Sequence, residues 1–172
     1  MTGETDNARR LAVVCAAVMA MALVALVALR RPSAAPVQWS IADGPGFSIA
    51  LPATPTLHVV DGGTAGADTA VVRDRAYTVV WFAVAPGAPA TSVLSQALAA
   101  LAEVPARLLT SRPVIVGPFA GTDLTARVAS DYLHGRLVVV GARAYLIAEL
   151  TPTLNPPADL TELLTGFDPD TV

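Results

Sequence analysis

The feature that most constrains this 172-residue chain is an apolar run from Leu11 to Leu29. These 19 residues include no charged residue, no proline and no glycine. A helix that rises about 1.5 Å per residue would cover about 28 Å over this run, close to the hydrocarbon thickness of a membrane, about 30 Å. A cleaved signal peptide usually has a shorter apolar region of about 7–15 residues. The run therefore predicts one transmembrane helix.

The residues after the run favour an anchor that stays in the membrane over a signal that is removed. Arg30 and Arg31 follow the run directly, where a cleavage region is normally small and neutral. The best small-residue site, 33–35, is followed by Pro36, which also disfavours cleavage. Cys15 lies near the start of the run and follows Val14, so it has no lipoprotein context and is interpreted as a small apolar residue.

The orientation of this anchor is not decided by its flanking charges. Two arginines precede the run and two follow it, so the positive-inside rule gives a tie. A short N-terminal tail, a single span and a large C-terminal part most often place that part outside the cytoplasm. We therefore expect a single-pass protein of the cell membrane whose C-terminal domain is extracytoplasmic.

The rest of the chain is long enough for one domain with its own core. Residues 33–172 carry seven arginines and twelve acidic residues, a net negative charge that argues against a nucleic-acid binder. The only cysteine lies in the apolar run, so the domain has no disulfide and no thiolate nucleophile. The predicted organisation is a tail (1–10), the transmembrane helix (11–29), a linker (30–37), one domain (38–168) and a C-terminal tail (169–172).

Alternating apolar residues predict a series of strands in this domain. In the segment 77–84, YTVVWFAV, both faces are apolar, which is typical of a central strand covered on both sides. Gly141 begins a tight reversal that joins two strands into a hairpin. The predicted strands are 38–42, 46–51, 57–60, 69–73, 77–84, 108–116, 119–129, 136–140 and 145–150.

Two helices interrupt the strands. The first is predicted over Thr91–Glu103, because Leu94, Ala97, Leu98 and Leu101 recur on one helical face. The second is a short helix at 158–164, after two prolines. This order predicts an α+β fold in which a largely antiparallel sheet is flanked by two helices.

The order of elements resembles the PsbP-like superfamily. The segments that carry the resemblance are GFSIALPATP, GPFAGTDLTARV, HGRLVVVGARAYLIAEL and LLTGFD, within residues 38–168. The resemblance implies an α/β/α sandwich and an accessory role in binding partners or assisting assemblies. It implies no shared catalytic motif and no cofactor.

The residues that could carry chemistry favour structural interpretations. Ser130, Asp131 and His134 have the composition of a catalytic triad but lie in one short predicted connection without a nucleophile elbow. His58 is interpreted as a solvated histidine on an edge strand, near Asp61.

Two further segments lack the features of a binding site. The glycine-rich loop 62–66 lacks the spacing of a phosphate-binding loop. Asp168 and Asp170 lie near the C-terminus and do not make a metal site. No catalytic, cofactor-binding or metal-binding residue is predicted.

The sequence therefore predicts a membrane-anchored, non-catalytic binding or accessory domain at the bacterial envelope, with a protein partner. Trp39, just after the linker, suits either the membrane interface or the core. One alternative is a tethered carrier or enzyme with a pocket between sheet and helix, where Asp131, His134 and Arg136 would have to surround one cleft. Another is a cytoplasmic tethered regulator.

Overall fold

The computed structural model describes residues 37–60, 64–100 and 106–169. Within these ranges no helix is long and apolar enough to cross a membrane. The predicted transmembrane helix, residues 11–29, lies outside the described residues.

The described chain forms ten strands and two helices. The strands are β1 (Ser40–Gly44), β2 (Phe47–Leu51), β3 (Thr56–Val60), β4 (Ala65–Val72), β5 (Arg75–Ala83), β6 (Ala106–Val116), β7 (Phe119–Val128), β8 (Asp131–Val140), β9 (Arg143–Thr151) and β10 (Asp168–Pro169). The helices are α1 (Ala90–Ala100), between β5 and β6, and α2 (Leu160–Thr165), between β9 and β10.

The strands form two antiparallel sheets. The large sheet has seven strands in the order β3-β4-β5-β9-β8-β7-β6, and the small sheet has three in the order β1-β2-β10. Most neighbours in the large sheet are hairpins, but β5 pairs with β9 across a long stretch of chain. This pairing joins the two halves of the domain.

Apolar clusters cover both faces of the large sheet. On one face Val93, Leu94 and Ala97 of α1 pack on residues such as Val80 and Phe82 of β5. On the other face the small sheet, α2 and the connection between α2 and β10 pack against it, through Phe47, Ile49, Leu51, Leu163 and Phe167. The prediction that the segment 77–84 forms a central strand covered on both sides is therefore confirmed for β5.

The predicted α/β/α sandwich, with two helices flanking one sheet, is wrong. The described chain is mostly β, and one face of the large sheet is covered by a second sheet together with the six-residue α2. The alternation of Phe47, Ile49 and Leu51 predicts one buried face. That pattern is the same whether the strand joins the large sheet or stacks on it in a second one, so it could not predict the layering.

Strand β8 is longer than the sequence predicts. The predicted strand covered 136–140, but β8 begins at Asp131. Residues 131–135 pair in register with β7, and residues 132–135 also pair with β9. The segment interpreted as a connection is therefore a central part of the sheet, and this changes the positions of Asp131 and His134.

Two glycines are required by local geometry. Gly141 has a positive φ of 59° in the β8–β9 turn, as the predicted reversal needs. Gly66 lies opposite Trp81 on the neighbouring strand, and a side chain there would collide with the indole ring. Trp81 is 1% exposed, so the missing side chain of Gly66 makes room for the largest residue of the core.

Candidate functional site on strands β6 to β8

Four arginines of β6, β7 and β8 lie on the same face of the large sheet as the small sheet. Directly opposed residues of antiparallel strands lie on one face, and Arg136 is opposed to Ile147, which belongs to the cluster beneath the small sheet. We call this surface the arginine face and define it by Arg107, Arg112, Asp123, Arg127 and Arg136.

A β-bulge brings the two arginines of β6 to this face. Arg107 and Arg112 are five residues apart, a spacing that places side chains on opposite faces of a regular strand. The register of β6 shifts between Leu108 and Thr110, which adds one residue to the strand. Arg107 is therefore opposed to Arg127, and Arg112 to Asp123, on the same face.

Asp123 is held between two arginines. It accepts hydrogen bonds from Nε and Nη2 of Arg136, at 2.6 and 3.2 Å, and from Nη2 of Arg112 at 3.3 Å. Partial burial by itself raises the pKa of Asp123. The hydrogen bonds and positive charges of Arg136 and Arg112 outweigh this effect, so the pKa is below its usual value. The side chain of Asp123 is thus an ionised carboxylate, and its contacts show how arginines of this face bind a carboxylate.

The other pair of arginines has no carboxylate between them. Arg107 and Arg127 are exposed and directly opposed, and Tyr132 follows in the same row on β8. Among the described residues neither arginine is within ion-pair distance of an acidic group. Within the described ranges, Arg127 donates one side-chain hydrogen bond, from Nε to the carbonyl oxygen of Ala129 at 3.4 Å. Like charges directly opposed on a sheet repel each other.

A second polar cluster lies in the core, on the same face of the sheet. Glu149 of β9 is 0% exposed, and neither carboxyl oxygen has a hydrogen-bond partner among the described residues. The nearest cation is Arg75, whose Nη1 lies 3.5 Å from Oε1. Burial first, and the negative charge of Asp159 second, raise the pKa of Glu149 to about 7.

Asp159, next to the start of α2, binds Arg75 and Tyr77, two donors that would otherwise be available to Glu149. It accepts a hydrogen bond from Arg75 Nη1 at 2.7 Å and another from the Tyr77 hydroxyl at 2.7 Å. A tyrosine hydroxyl has one proton, so donation to Asp159 leaves none for Glu149. Burial and this hydrogen bond raise the pKa of Tyr77, which stays protonated.

His134 lies next to Glu149 in the same row and is 1% exposed. Its Nε2 lies 3.2 Å from the carbonyl oxygen of Thr153, and its Nδ1 lies 3.2 Å from the hydroxyl of Thr125. A carbonyl only accepts, so Nε2 donates this hydrogen bond. His134 thus links the segment after β9, through Nε2, to β7, through Nδ1.

The structure separates the residues considered as a triad. Asp131 and His134 are three residues apart on a regular strand and lie on opposite faces of the sheet. Ser130 donates only a long hydrogen bond of 3.5 Å to Asp131. Arg136 shares the face of His134 but binds Asp123. Asp131, His134 and Arg136 therefore do not surround one cleft.

The remaining candidates have structural surroundings. His58 lies on the edge strand β3, as predicted, and is half-buried, with an Nε2 that has no partner in the described chain. Of the loop 62–66, Thr64 is a turn residue and Gly66 belongs to β4, while residues 62 and 63 lie outside the described ranges. Asp168 pairs with Ser48 in the small sheet, and Asp170 is not described. The described ranges hold no group of three or more His, Cys, Asp or Glu side chains that could bind a metal ion.

The sequence contained a signal for Glu149 but none for the arginine face. Glu149 is the one charged residue in the apolar segment AYLIAEL, and an acid in a central strand predicts a buried carboxyl. The four arginines are spread over 30 positions of the sequence. The bulge that brings Arg107 and Arg112 to one face cannot be recognised from a sequence pattern.

Comparison with known proteins identifies the fold only. No protein-family model and no curated protein matches the sequence. The solved structure of the cyanobacterial PsbP protein of Synechocystis is similar over 81% of this chain and 96% of its own, with a TM-score of 0.56 and 12% identity. A Pseudomonas aeruginosa protein of unknown function, PA94, gives a TM-score of 0.41 at 14% identity, over 73% of this chain and 88% of its own. A Bacteroides thetaiotaomicron protein gives a TM-score of 0.38 at 13% identity, over 80% of this chain and 50% of its own.

The chain therefore has a PsbP-like fold, as the resemblance in its sequence implied. At 12% identity this likeness concerns the fold and transfers no activity, ligand or partner.

Proposed function

We propose that this chain is a non-catalytic accessory domain of the bacterial envelope, tethered to the membrane through residues 11–29 and lying outside the cytoplasm. It acts by binding a protein partner. The observation that carries this proposal is that half of one face of the large sheet is open. The small sheet and α2 pack over the half around β5 and β9. The other half is the arginine face, where Arg107, Arg112 and Arg127 are exposed. An uncovered sheet face with exposed arginines suits a docking surface better than a reaction centre.

The start of the domain supports the tether. Val37, Trp39 and Ile41 alternate along one extended stretch and are 51%, 36% and 66% exposed. Residues 30–36, the part of the linker that precedes Val37, can reach at most about 25 Å when fully extended. A transmembrane helix at 11–29 would therefore hold these apolar residues near the membrane surface, where tryptophan is favoured.

Tryptophan fluorescence tests the tether, because the chain has two tryptophans in contrasting positions. Trp39 is partly exposed next to the linker, and Trp81 is buried in the core. The full chain is reconstituted into vesicles whose lipids carry bromine near the headgroup. We expect bromine to quench the wild-type emission, and Trp39→Phe to abolish the quenching. Trp81→Phe, which leaves Trp39 as the only emitter, should retain it.

Two results would contradict the tether. One is release of the full chain from vesicles by alkaline carbonate, which removes peripheral proteins. The other is quenching that persists in Trp39→Phe. The orientation is tested separately, with a reporter active on only one side of the membrane fused after Val172. Activity of a cytoplasmic reporter would overturn the extracytoplasmic placement.

A further inference from the structure

We propose that the arginine face binds a short acidic segment of a partner protein, with one carboxylate held between Arg107 and Arg127 and a second group near Arg112. This inference rests on the proposed function in one respect, that the open half of the sheet is a docking surface. It adds the chemical class of the partner and the residues that recognise it.

The unshielded pair of arginines is the first argument. Arg107 and Arg127 are opposed on one face, exposed, and without an acidic partner in the described chain. Directly opposed like charges destabilise a sheet. An anion between the two guanidinium groups removes this repulsion. Within the described residues this arrangement is therefore unfavourable, and a bound carboxylate corrects it.

The second argument is that the same face already binds a carboxylate of its own. Asp123 receives two hydrogen bonds from Arg136 and one from Arg112. Such paired donation matches the planar guanidinium group to the planar carboxylate. Arg112 and Arg136 flank Asp123 from the strands on either side of β7, whereas Arg107 and Arg127 are opposed on adjacent strands and have no carboxylate of the described residues between them.

The spacing of the two arginine pairs indicates an extended segment. Arg127 and Asp123 are four residues apart on β7, which corresponds to about 13 Å along the strand. Arg112, at the far end, is 78% exposed and makes a single 3.3 Å contact, so most of its donors are free. Between the two ends Thr110 of β6 is opposed to Thr125 of β7. Acidic side chains about four residues apart in an extended peptide match this distance.

The charge of the whole domain favours a short peptide over a larger polyanion. Residues 33–172 carry seven arginines and twelve acids, of which four arginines and one acid lie on the arginine face. Three arginines and eleven acids remain elsewhere. A nucleic acid or an anionic membrane extends past the face and meets this negative charge, whereas a short peptide does not.

The experiment measures binding of a fluorescent octaglutamate peptide to the full chain in detergent at low salt, by fluorescence anisotropy. The charge-reversal variant is Arg107→Glu together with Arg127→Glu. The control is Arg73→Glu, an exposed arginine in the turn between β4 and β5. We expect the wild type to bind octaglutamate but not octaglutamine. The double variant should bind at least about tenfold more weakly, and the control within about twofold of wild type.

Circular dichroism and thermal unfolding verify that each variant is folded, and Arg107→Gln with Arg127→Gln serves if charge reversal prevents folding. The inference is overturned if the folded double variant binds octaglutamate as wild type does, or if the wild type does not bind it at low salt. It is also overturned if an oligothymidylate or vesicles of anionic lipid bind more tightly through the same arginines. None of these results affects the test of the tether, which depends on Trp39.

Discussion

The Nη1 atom of Arg75 lies 3.5 Å from a carboxyl oxygen of Glu149, too far for a good hydrogen bond, and 2.7 Å from Asp159. The guanidinium group is thus committed to the more exposed of two carboxyls. Glu149, which is fully buried, remains without a hydrogen bond among the described residues. A buried carboxyl in this situation is more stable protonated, and this dictates how the stability of the domain depends on pH.

Glu149 should make the domain less stable as the pH rises. Its pKa is raised from 4.5 to about 7 in the folded chain, so its contribution is fully present below about pH 4.5 and is lost as the pH rises through about 7. We expect this term to reduce the free energy of unfolding by about 2–3 kcal/mol between pH 5 and pH 8. Urea denaturation of wild type and Glu149→Gln at several pH values measures the difference.

The variant Glu149→Gln should lack this dependence. Glu162→Gln, which changes an exposed glutamate of α2, is the matched control and should retain the wild-type pH profile. Parallel profiles for wild type and Glu149→Gln would show that folding does not raise the pKa of Glu149, against our expectation.

Asp159 should couple to Tyr77 even though the two are 82 positions apart. We expect Asp159→Ala to cost about 2–3 kcal/mol, because it removes hydrogen bonds from Tyr77 and from a charged Arg75. A double-mutant cycle with Tyr77→Phe should give a coupling energy of about 1–2 kcal/mol. The same cycle with Glu162→Ala in place of Asp159→Ala should give none. A coupling near zero for Asp159 would contradict the hydrogen bond.

Asp159→Asn should also move the pH profile. The charge of Asp159 raises the pKa of Glu149, and its loss frees Arg75 to approach Glu149. Both changes favour the ionised form, so the pH range over which stability falls should narrow and shift toward acid. A profile that moves toward alkaline pH would contradict this arrangement of charges.

The two histidines should differ in their contribution to stability. His134 is 1% exposed and bonded through both ring nitrogens, so we expect His134→Ala to cost about 2–4 kcal/mol. His58 is half-buried on the short edge strand β3, and His58→Ala should cost less than about 1 kcal/mol. Equilibrium unfolding in urea compares them. Equal costs would mean that the bonds of His134 contribute little.

Asp123→Asn should strengthen binding to the arginine face. The change removes the one acid of that face and leaves Arg112 and Arg136 without their carboxylate. We expect octaglutamate to bind several-fold more tightly at low salt, and the gain to shrink as salt screens the charges. Anisotropy titrations at two salt concentrations measure both effects. Asp43→Asn, a change at an exposed acid of the small sheet, should leave the affinity unchanged.

The sequence by itself determined the local structure of much of this protein. The two apolar faces of the segment 77–84 predicted that β5 is central, and Gly141 predicted the turn of the β8–β9 hairpin. The apolar face that includes Leu94 and Ala97 predicted α1, whose helix begins at Ala90. These features are local because periodicity and turn chemistry act over a few residues.

Only the tertiary structure decided which elements meet. The pairing of β5 with β9 and the stacking of the small sheet over them depend on contacts far apart in sequence, which explains why the predicted sandwich was wrong. The same applies to the sites. Asp159 reaches Arg75 and Tyr77 across more than 80 positions, and a bulge between Leu108 and Thr110 turns Arg107 toward Arg127. Side-chain alternation fixes a face only within one regular strand. The neighbours across strands and layers follow from how the whole chain buries its apolar surface.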